Sequence, residues 1–411
     1  MIASNNKLVI LATHAFTIDG KFNIRSGPAQ PLLDYFLSKV EYFFLIGQPP
    51  PYVEGSLSPF LFVYKNGVLV DKIFFRKFSF LFDISPRKRR NKTYLRLKIR
   101  DFLSILYFAV IIKRKYAQSC LGRLFFGIES VNAVAGVFVK RLLNIDYIVY
   151  YIFDWSIKWF NNIFLDYIYV WFDKYACYHS DFIWNITDRI AEERIKNLKY
   201  NGRRMGKQLT VPYGIPFREK LVRNESDPVL DTIVYSGYLS YENGALLLPE
   251  IAREVERTDK NIKIMIIGGG EEFETVKEKI VEYNLENVRL YGHISDQDEI
   301  DRLLVKAHVA IAPYIDIPYS KKRYGDVIKI RNYFACGLPV ISTNVVPVSE
   351  EIIAEKLGFV VTDSAKEFAR ACIELLKNRH PYQEIRSNIM KKAINHNWDN
   401  IFSEALEKMF Q

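Results

Sequence analysis

The sequence predicts an α/β protein with two doubly wound parallel sheets, one in each half of the chain. Three observations carry that expectation. Short apolar runs such as KLVILA (Lys7–Ala12) and DYIVYYIF (Asp146–Phe153) read as buried strands. From Thr232 onward such runs alternate with amphipathic stretches of helical period, the pattern of parallel βα units. Between the two halves, Val211–Pro216 packs two prolines and a glycine into VPYGIP, the best linker in the chain. At 411 residues, two domains can each bury a core.

Taken in order, Lys7–Ala12 is a strand, and a loop containing Gly20 and Gly27 follows it. Pro28–Val40 reads as a helix with proline in its first turn. Glu41–Ile46 is strand-like, and Phe60–Val70 is a strand pair around Asn66-Gly67. Arg100–Lys113 is an apolar helix, Gly122–Gly127 a strand and Asn132–Leu143 an amphipathic helix. After Asp146–Phe153, the aromatic stretch Trp155–Ile186 is expected to be mostly helical, and Thr187–Asn197 to be an exposed helix.

The second half predicts strands at Thr232–Ser236, Ile262–Ile267, Val288–Tyr291, Val309–Ala312, Leu338–Ser342 and Gly358–Val361. The intervening helices are Gly244–Glu256, Phe273–Tyr283, Asp296–Lys306, Lys329–Ala335 and Ala365–Lys377, with a last one at Asn397–Met409. Gly337 suits the residue just past a helix, and Pro339 stops any continuation.

Composition is that of a globular chain, 49% hydrophobic and 25% charged. The four cysteines lack the close spacing of a zinc or redox motif, which reads as reduced thiols in a cytosolic setting. Residues 1–6 are polar and give way at once to a strand, so no signal peptide is expected. The net charge of +10 is local: Pro86–Lys115 holds eleven Lys or Arg against the single acid Asp101. No nucleic-acid-binding motif accompanies these cations, which argues against a nucleic-acid partner.

Ligands of doubly wound sheets sit at the carboxyl ends of strands. In the second half those ends read Gly237-Tyr238, Gly268-Gly269-Gly270, Gly292-His293, Pro313-Tyr314 and Thr343-Asn344. Glycine at three successive strand ends lets backbone approach a ligand closely.

The order of these pieces resembles the C-terminal domain of the group 1 family of GT-B glycosyltransferases. The resemblance rests on IVYSGYLSYENG, IKIMIIGGGEEFETVKE, NVRLYGHISDQDEIDRLLVKAHVAIAPY, KIRNYFACGLPVISTN and the tryptophan-led NWDNIFSEALEKMF. It covers Asp231–Gln411 well and Leu8–Pro216 only in outline. It implies two Rossmann-like domains facing a cleft: an acceptor-binding domain over 1–213, a nucleotide-sugar-binding domain over 214–394, and a helix over 395–411 crossing back to the first domain. The implied reaction is metal-independent sugar transfer from a nucleotide diphosphate sugar to an acceptor hydroxyl, with no cofactor, in lipid-linked or cell-surface glycan synthesis.

The family segment is a Lys, two apolar residues, then Glu-Tyr and Ala-x-Gly-x-Pro-Val. Lys329, Tyr333, Ala335, Gly337, Pro339 and Val340 match it. Asn332 stands where the family has its ribose-binding glutamate, and can bond a hydroxyl without charge. Tyr324 stands at the family's other glutamate, with Asp326 as the nearest carboxylate. Tyr238 and Asn243 occupy the stretch where the family often has an Arg and a Lys facing the diphosphate. The implied donor site is therefore Gly237, Tyr238, Gly268, Gly269, His293, Lys329, Asn332, Tyr333 and Thr343, with Lys321, Lys322 and Arg323 as further phosphate cations. A cationic clamp on the leaving diphosphate is what such a reaction most needs without a metal.

In the first half, Asp19 and Gly20 follow the first strand, and Asp154 follows a buried strand, an address expected to face the cleft. Asp154 or Asp19 would serve as catalytic base if the reaction inverts configuration. Glu129 is a further acceptor-side carboxylate, while His14 and His293 read more readily as structural on residue type alone. No metal-ligand cluster is found.

Arg100–Lys113 is too short in its apolar part to span a bilayer, but cations flank it at both ends. With the aromatic run Trp155–Phe172, it predicts contact with an anionic membrane surface through 86–115 and 155–172, hence a peripheral place at the inner face of the membrane. Two rival functions share the architecture: a nucleotide-sugar epimerase, and a non-catalytic glycan- or membrane-binding subunit.

Overall fold

The computed structural model describes residues 7–18, 21–24, 27–50, 58–75, 91–116, 122–160, 162–218 and 231–411. Asp19 and Gly20 lie outside the described residues, as does much of the basic run, 86–90. The chain divides into two compact units. The first comprises 1–212 with 402–411, and the second 213–401.

The first unit begins with β1 (Lys7–Thr13), whose residues are buried beyond Lys7. A small antiparallel hairpin follows, β2 (Ala15–Ile18) and β3 (Lys21–Ile24), where only a loop was expected. Helix α1 (Ala29–Leu37) leads to β4 (Tyr42–Gly47), then to the antiparallel β5 (Phe60–Lys65) and β6 (Val68–Phe74). Helix α2 (Asn91–Lys115) extends further toward its N-terminus than the apolar core of its sequence suggests. Next come β7 (Gly122–Ile128), α3 (Ser130–Leu143) and β8 (Tyr147–Ile152).

The stretch expected to be mostly helical is broken. Helix α4 (Ile163–His179) ends at Ser180, and Phe182–Asn185 forms a wholly buried strand, β9. Its FIWN sequence is apolar and aromatic, so a place beside β8 overrides the helical reading. Asn162 starts α4 by accepting the Phe164 and Leu165 amides (3.0 and 3.1 Å). Helix α5 (Asp188–Lys196) and the edge strand β10 (Lys207–Thr210) complete the sheet, whose order is β10-β9-β8-β7-β1-β4-β5-β6. Everything from β10 to β4 runs parallel. The order reverses at β1/β7, which makes their carboxyl ends the switch point of this unit.

The second unit is cleaner. It runs β11 (Thr232–Ser236), α6 (Leu247–Thr258), β12 (Lys263–Ile267), α7 (Phe273–Glu282), β13 (Val288–Gly292), α8 (Gln297–Leu304) and β14 (Val309–Ala312). Then come α9 (Ile328–Ala335), β15 (Val340–Thr343), α10 (Val348–Ala354), β16 (Gly358–Val361) and α11 (Ala365–Lys377). All strands are parallel in the order β13-β12-β11-β14-β15-β16, so the switch point is β11/β14. Helices α10 and α12 (Arg379–Asn395) did not emerge from the sequence pattern. Helix α13 (Trp398–Met409) starts against Tyr213, with ring centroids 5.9 Å apart. Its last residues group with the first unit, where the Phe402 and Tyr35 rings meet at 5.5 Å.

Each unit is pinned by a buried charge knot. In the first, Asp173 and Arg194 are fully buried: Arg194 donates to both carboxylate oxygens (2.5 and 2.9 Å), and the Tyr150 and Tyr200 hydroxyls add 2.7 and 3.1 Å bonds. In the second, Arg331 donates from Nε to Asp326 (3.0 Å) and from both amino groups to Glu351 (2.8 Å each). Asp326 also accepts the Tyr213 amide at 2.9 Å. Removing one member of such a knot strands a buried charge, which costs far more than the pair contributes over apolar packing. Asp173→Ala is therefore expected to destabilise the first unit by about 3–5 kcal/mol, read from a shifted urea midpoint; Glu404→Ala, whose pair with Lys408 is more than half exposed, should cost much less.

Candidate functional site

In the second unit the groups gather at the carboxyl ends of β11 and β14. Helix α9 carries Lys329 and Tyr333 to this point. The Lys329 ammonium donates to the Tyr235 hydroxyl (3.1 Å), and lies 4.3 Å from the Tyr235 ring centroid and 5.1 Å from that of Tyr314. No carboxylate pairs with it among the described residues. Burial, with a smaller contribution from the Lys322 charge, pulls its pKa down to about 7. A half-buried cation without a counterion is a place where an anion is stabilised.

The turn beside it is built around that cation. Tyr333 accepts the Ser236 amide (2.8 Å) and donates to the Ser236 carbonyl (3.1 Å), fixing the exit of β11. The Tyr235 hydroxyl donates to the Tyr238 carbonyl (3.0 Å), and Asn243 donates to the same carbonyl (2.9 Å). Gly237, at φ +152°, leaves room for the lysine: a Cβ there would stand 2.7 Å from the ammonium. Gly268, at φ +144°, packs so closely that a Cβ would sit 1.9 Å from the Gly237 carbonyl oxygen. Backbone bonds lock the layers together, Gly237 to Ile267 (2.9 Å), Leu239 to Gly269 (2.9 Å) and Gly268 to Gly292 (2.8 Å). The result is a surface of bare backbone next to one ammonium. The Tyr314 hydroxyl, buried beside it, has no hydrogen-bond partner among the described residues.

The other sequence-derived residues divide. Tyr238 projects outward, 59% exposed, as part of the same turn. His293 is exposed, with its Cβ 3.2 Å from where a Gly269 Cβ would be. Asn332 is half-buried, and its side chain makes no hydrogen bond among the described residues. Thr343 is buried and donates to the Tyr314 carbonyl (2.7 Å), a packing duty. Lys322 is half-buried, 5.7 Å from the Tyr314 ring centroid, and Lys321 is exposed. Arg323 is held by Asp316 through two 2.7 Å bonds. Asp326 is committed to Arg331, and burial raises its carboxyl pKa despite that cation.

In the first unit, three residues meet at the β1/β7 switch point. His14 Nε2 stands 3.1 Å from Glu129 and 3.2 Å from the Lys98 ammonium, which also bonds Glu129. Nδ1 of His14 faces the Gln48 carbonyl at 3.3 Å. Glu129 occupies a left-handed backbone position, φ +70°, just ahead of α3. Burial works to raise its pKa, but the charges of Lys98 and His14 outweigh that and hold the carboxyl well below the usual range. His14 reads as structural from sequence, and Lys98 draws no attention there beyond the basic run. Asp154, two residues past β8, is exposed.

Comparison with known proteins follows the same division. Residues 217–396 match the family "Glycosyl transferases group 1". This second unit is a divergent group 1 glycosyltransferase domain. Two curated Escherichia coli relatives, the O-antigen biosynthesis glycosyltransferase WbnH and the probable one WbiN, are each 24% identical over 233 residues. That match covers 53% of this chain and 63% of theirs, so the chain spans under two thirds of the relatives' length. Among solved structures, Anabaena HepE in complex with UDP is similar with a TM-score of 0.63 at 14% identity, over 98% of this chain and 100% of that one. The E. coli trehalose-6-phosphate protein bound with UDP-2-fluoro glucose gives 0.64 at 10% identity, over 98% and 99%. At such identities the likeness establishes the fold, the pair of Rossmann-like units of the GT-B class.

The glycine layers give a direct test. Gly268→Ala must push backbone against backbone and is expected to cost about 1–3 kcal/mol in the thermal or urea unfolding of the second unit. Gly237→Ala bears the same backbone strain, at φ +152°, but meets the end of a flexible lysine rather than backbone, so its smaller cost should come with a displaced Lys329 in a crystal structure of the variant.

Proposed function

We propose that this chain is a glycosyltransferase that moves a sugar from a nucleotide diphosphate sugar to an acceptor hydroxyl. The observation that carries the reading is the Lys329 ammonium, without a carboxylate partner among the described residues, beside bare glycine backbone at the β11/β14 switch point. The diphosphate lies against Gly237, Gly268 and Gly269. Lys329 neutralises the charge that grows on it as the sugar's C–O bond breaks, with Lys322 adding to the field and Lys321 at the entrance. Asn332 supplies a neutral hydrogen bond to the ribose, and Tyr333 acts by holding the Ser236–Gly237 turn. With protein cations in this place the transfer proceeds without a metal or cofactor.

The acceptor is assigned to the first unit. Its hydroxyl oxygen bonds the anomeric carbon, and its proton passes to a base. Glu129 is held ionised by the Lys98 ammonium and the His14 ring beside it, which makes it a weak base but a good hydrogen-bond acceptor for orienting a sugar hydroxyl. Asp154 and Asp19 are the carboxylates left for the proton. The kinship with O-antigen enzymes supports a lipid-linked or cell-surface glycan as acceptor, and with it a protein working at the inner face of the membrane.

The direct experiment is a panel of nucleotide sugars assayed for hydrolysis and transfer, together with nucleotide diphosphates in thermal-shift measurements. Stabilisation by none of them would sink the reading, and turnover of free nucleotide sugar to an epimer without acceptor would replace it with an epimerase. Lys329→Ala is expected to raise the dissociation constant of the nucleotide diphosphate roughly tenfold to a hundredfold, from loss of one charge-assisted contact of about 1.5–3 kcal/mol. The protonated lysine binds the anion, so affinity should fall as pH rises through about 7, and Lys329→Met should flatten that dependence.

No helix of the described residues is long and apolar enough to cross a membrane. Surface contact through α2 and the aromatic face of α4 is the membrane role proposed. Flotation with anionic liposomes should be strong in low salt and weaker in high salt; failure to float in low salt removes it.

A further inference from the structure

Two lysines of the second unit gather around one aromatic ring. The Lys329 ammonium lies 5.1 Å from the Tyr314 ring centroid, and that of Lys322 lies 5.7 Å from it. Like charges around one ring each disfavour the other's proton. Their surroundings differ. Lys329 is also walled by the Tyr235 ring, 4.3 Å away, whereas Lys322 comes from the short helical turn Lys321–Arg323. Burial, and after it the Lys322 charge, pull the Lys329 pKa down to about 7. Among the described residues, the titratable groups around it are Tyr235 of β11 and Tyr314 and Lys322 from the chain that follows β14. None of these is a carboxylate that would hold the proton in place.

A lysine desolvated beside another cation is a nucleophile at neutral pH, because much of it carries no proton. At about pH 7 roughly half of such an amine is neutral, against about one part in three thousand at the ordinary pKa of 10.5. The neighbouring backbone decides what reaches it. Gly237 bears no side chain, and a Cβ there would stand 2.7 Å from the nitrogen. The amine is thus bordered on that side by main chain, and Lys322 supplies a second positive charge close by. Such a pair receives a phosphate on one lysine and leaves the other to attack what the phosphate carries.

We propose that Lys329 is a modification site, acylated by small acyl phosphates whose phosphate is received by Lys322 and the Gly237 turn, and that the modification closes this anion site. The inference rests on the glycosyltransferase reading for the placement of a phosphate at the turn, and adds a means of regulating it. The Lys329 nitrogen bonds the carbonyl carbon, the carbon–oxygen bond to the phosphate breaks, and the phosphate departs with the N–H proton. The product is an uncharged amide, so the cation that faces the nucleotide diphosphate is lost.

The test treats the unaltered full chain with acetyl phosphate at about pH 7 and follows each lysine by peptide mass spectrometry. Lys329 should be acetylated roughly ten to a hundred times faster than exposed Lys366 of the same unit, since the gain in neutral amine outweighs the lower intrinsic reactivity of a weaker base. Acetic anhydride, which carries no phosphate, should show a smaller preference for Lys329. UDP should protect Lys329, and the acetylated chain should bind UDP roughly tenfold more weakly or worse. Lys329→Arg, which keeps the charge without the reactive amine, should lose no UDP affinity under the same treatment. Acetylation of Lys329 no faster than that of Lys366 overturns the proposal, as does an equal preference with acetic anhydride or an undiminished UDP affinity after acetylation. UDP binding also separates the two levels. UDP bound by a chain whose Lys329 resists acetyl phosphate overturns the modification alone, whereas rapid acetylation of Lys329 in a chain that binds no nucleotide overturns the transferase reading and leaves an acyl phosphate site.

Discussion

An ammonium held among aromatic rings, with no carboxylate partner among the described residues, is the constraint on which the second unit depends. Lys329 is kept half-buried by Tyr235 and Tyr314, and burial takes its pKa far below that of a free lysine. Such a group is costly to keep unless something anionic completes it. The surroundings are consistent with that need. Gly237 has no side chain where the ammonium lies, and Gly268 has none where the Gly237 carbonyl lies. Tyr333 spends its hydroxyl on the strand exit rather than on a ligand. The conformational cost of three glycine-ended strands is thus offset by a backbone surface that an anion can approach.

The first unit solves a different problem with the opposite charge. Glu129 sits at the switch point of its own sheet, in a left-handed backbone position, with Lys98 and His14 closing on it. The Lys98 ammonium and the His14 ring keep that carboxylate ionised, and an apolar groove opens beside it. One unit therefore presents a cation beside glycine backbone, and the other an ionised carboxylate beside an apolar groove.

Several substitutions relative to the group 1 pattern acquire a physical meaning here. Asn243 is buried and holds the Tyr238 carbonyl, so it stabilises the turn. Asp326, the carboxylate nearest to Tyr324, is locked to Arg331 and the Tyr213 amide. Arg323 is matched by Asp316 in a bidentate pair. The positive charge beside the glycine turn is concentrated on Lys329, with Lys322 close to the Tyr314 ring.

The sequence by itself determined the α/β class, all six strands of the second half and the placement of Lys329 and Tyr333 beside glycine-ended strands. Those features are local: hydrophobic period, glycine position and residue order are written in consecutive residues. Tertiary structure alone decided the rest. β9 is a strand because a buried neighbour accepts it, although its surroundings read as helix. Tyr235 and Tyr314 lie at the ends of different strands and become walls of one cation site only when β11 and β14 pair. Lys98 lies 84 residues from His14 and 31 from Glu129, and they meet because β7 inserts beside β1 and α2 passes over that junction. No spacing in the chain announces such a meeting, since strand order is set by the packing of whole elements.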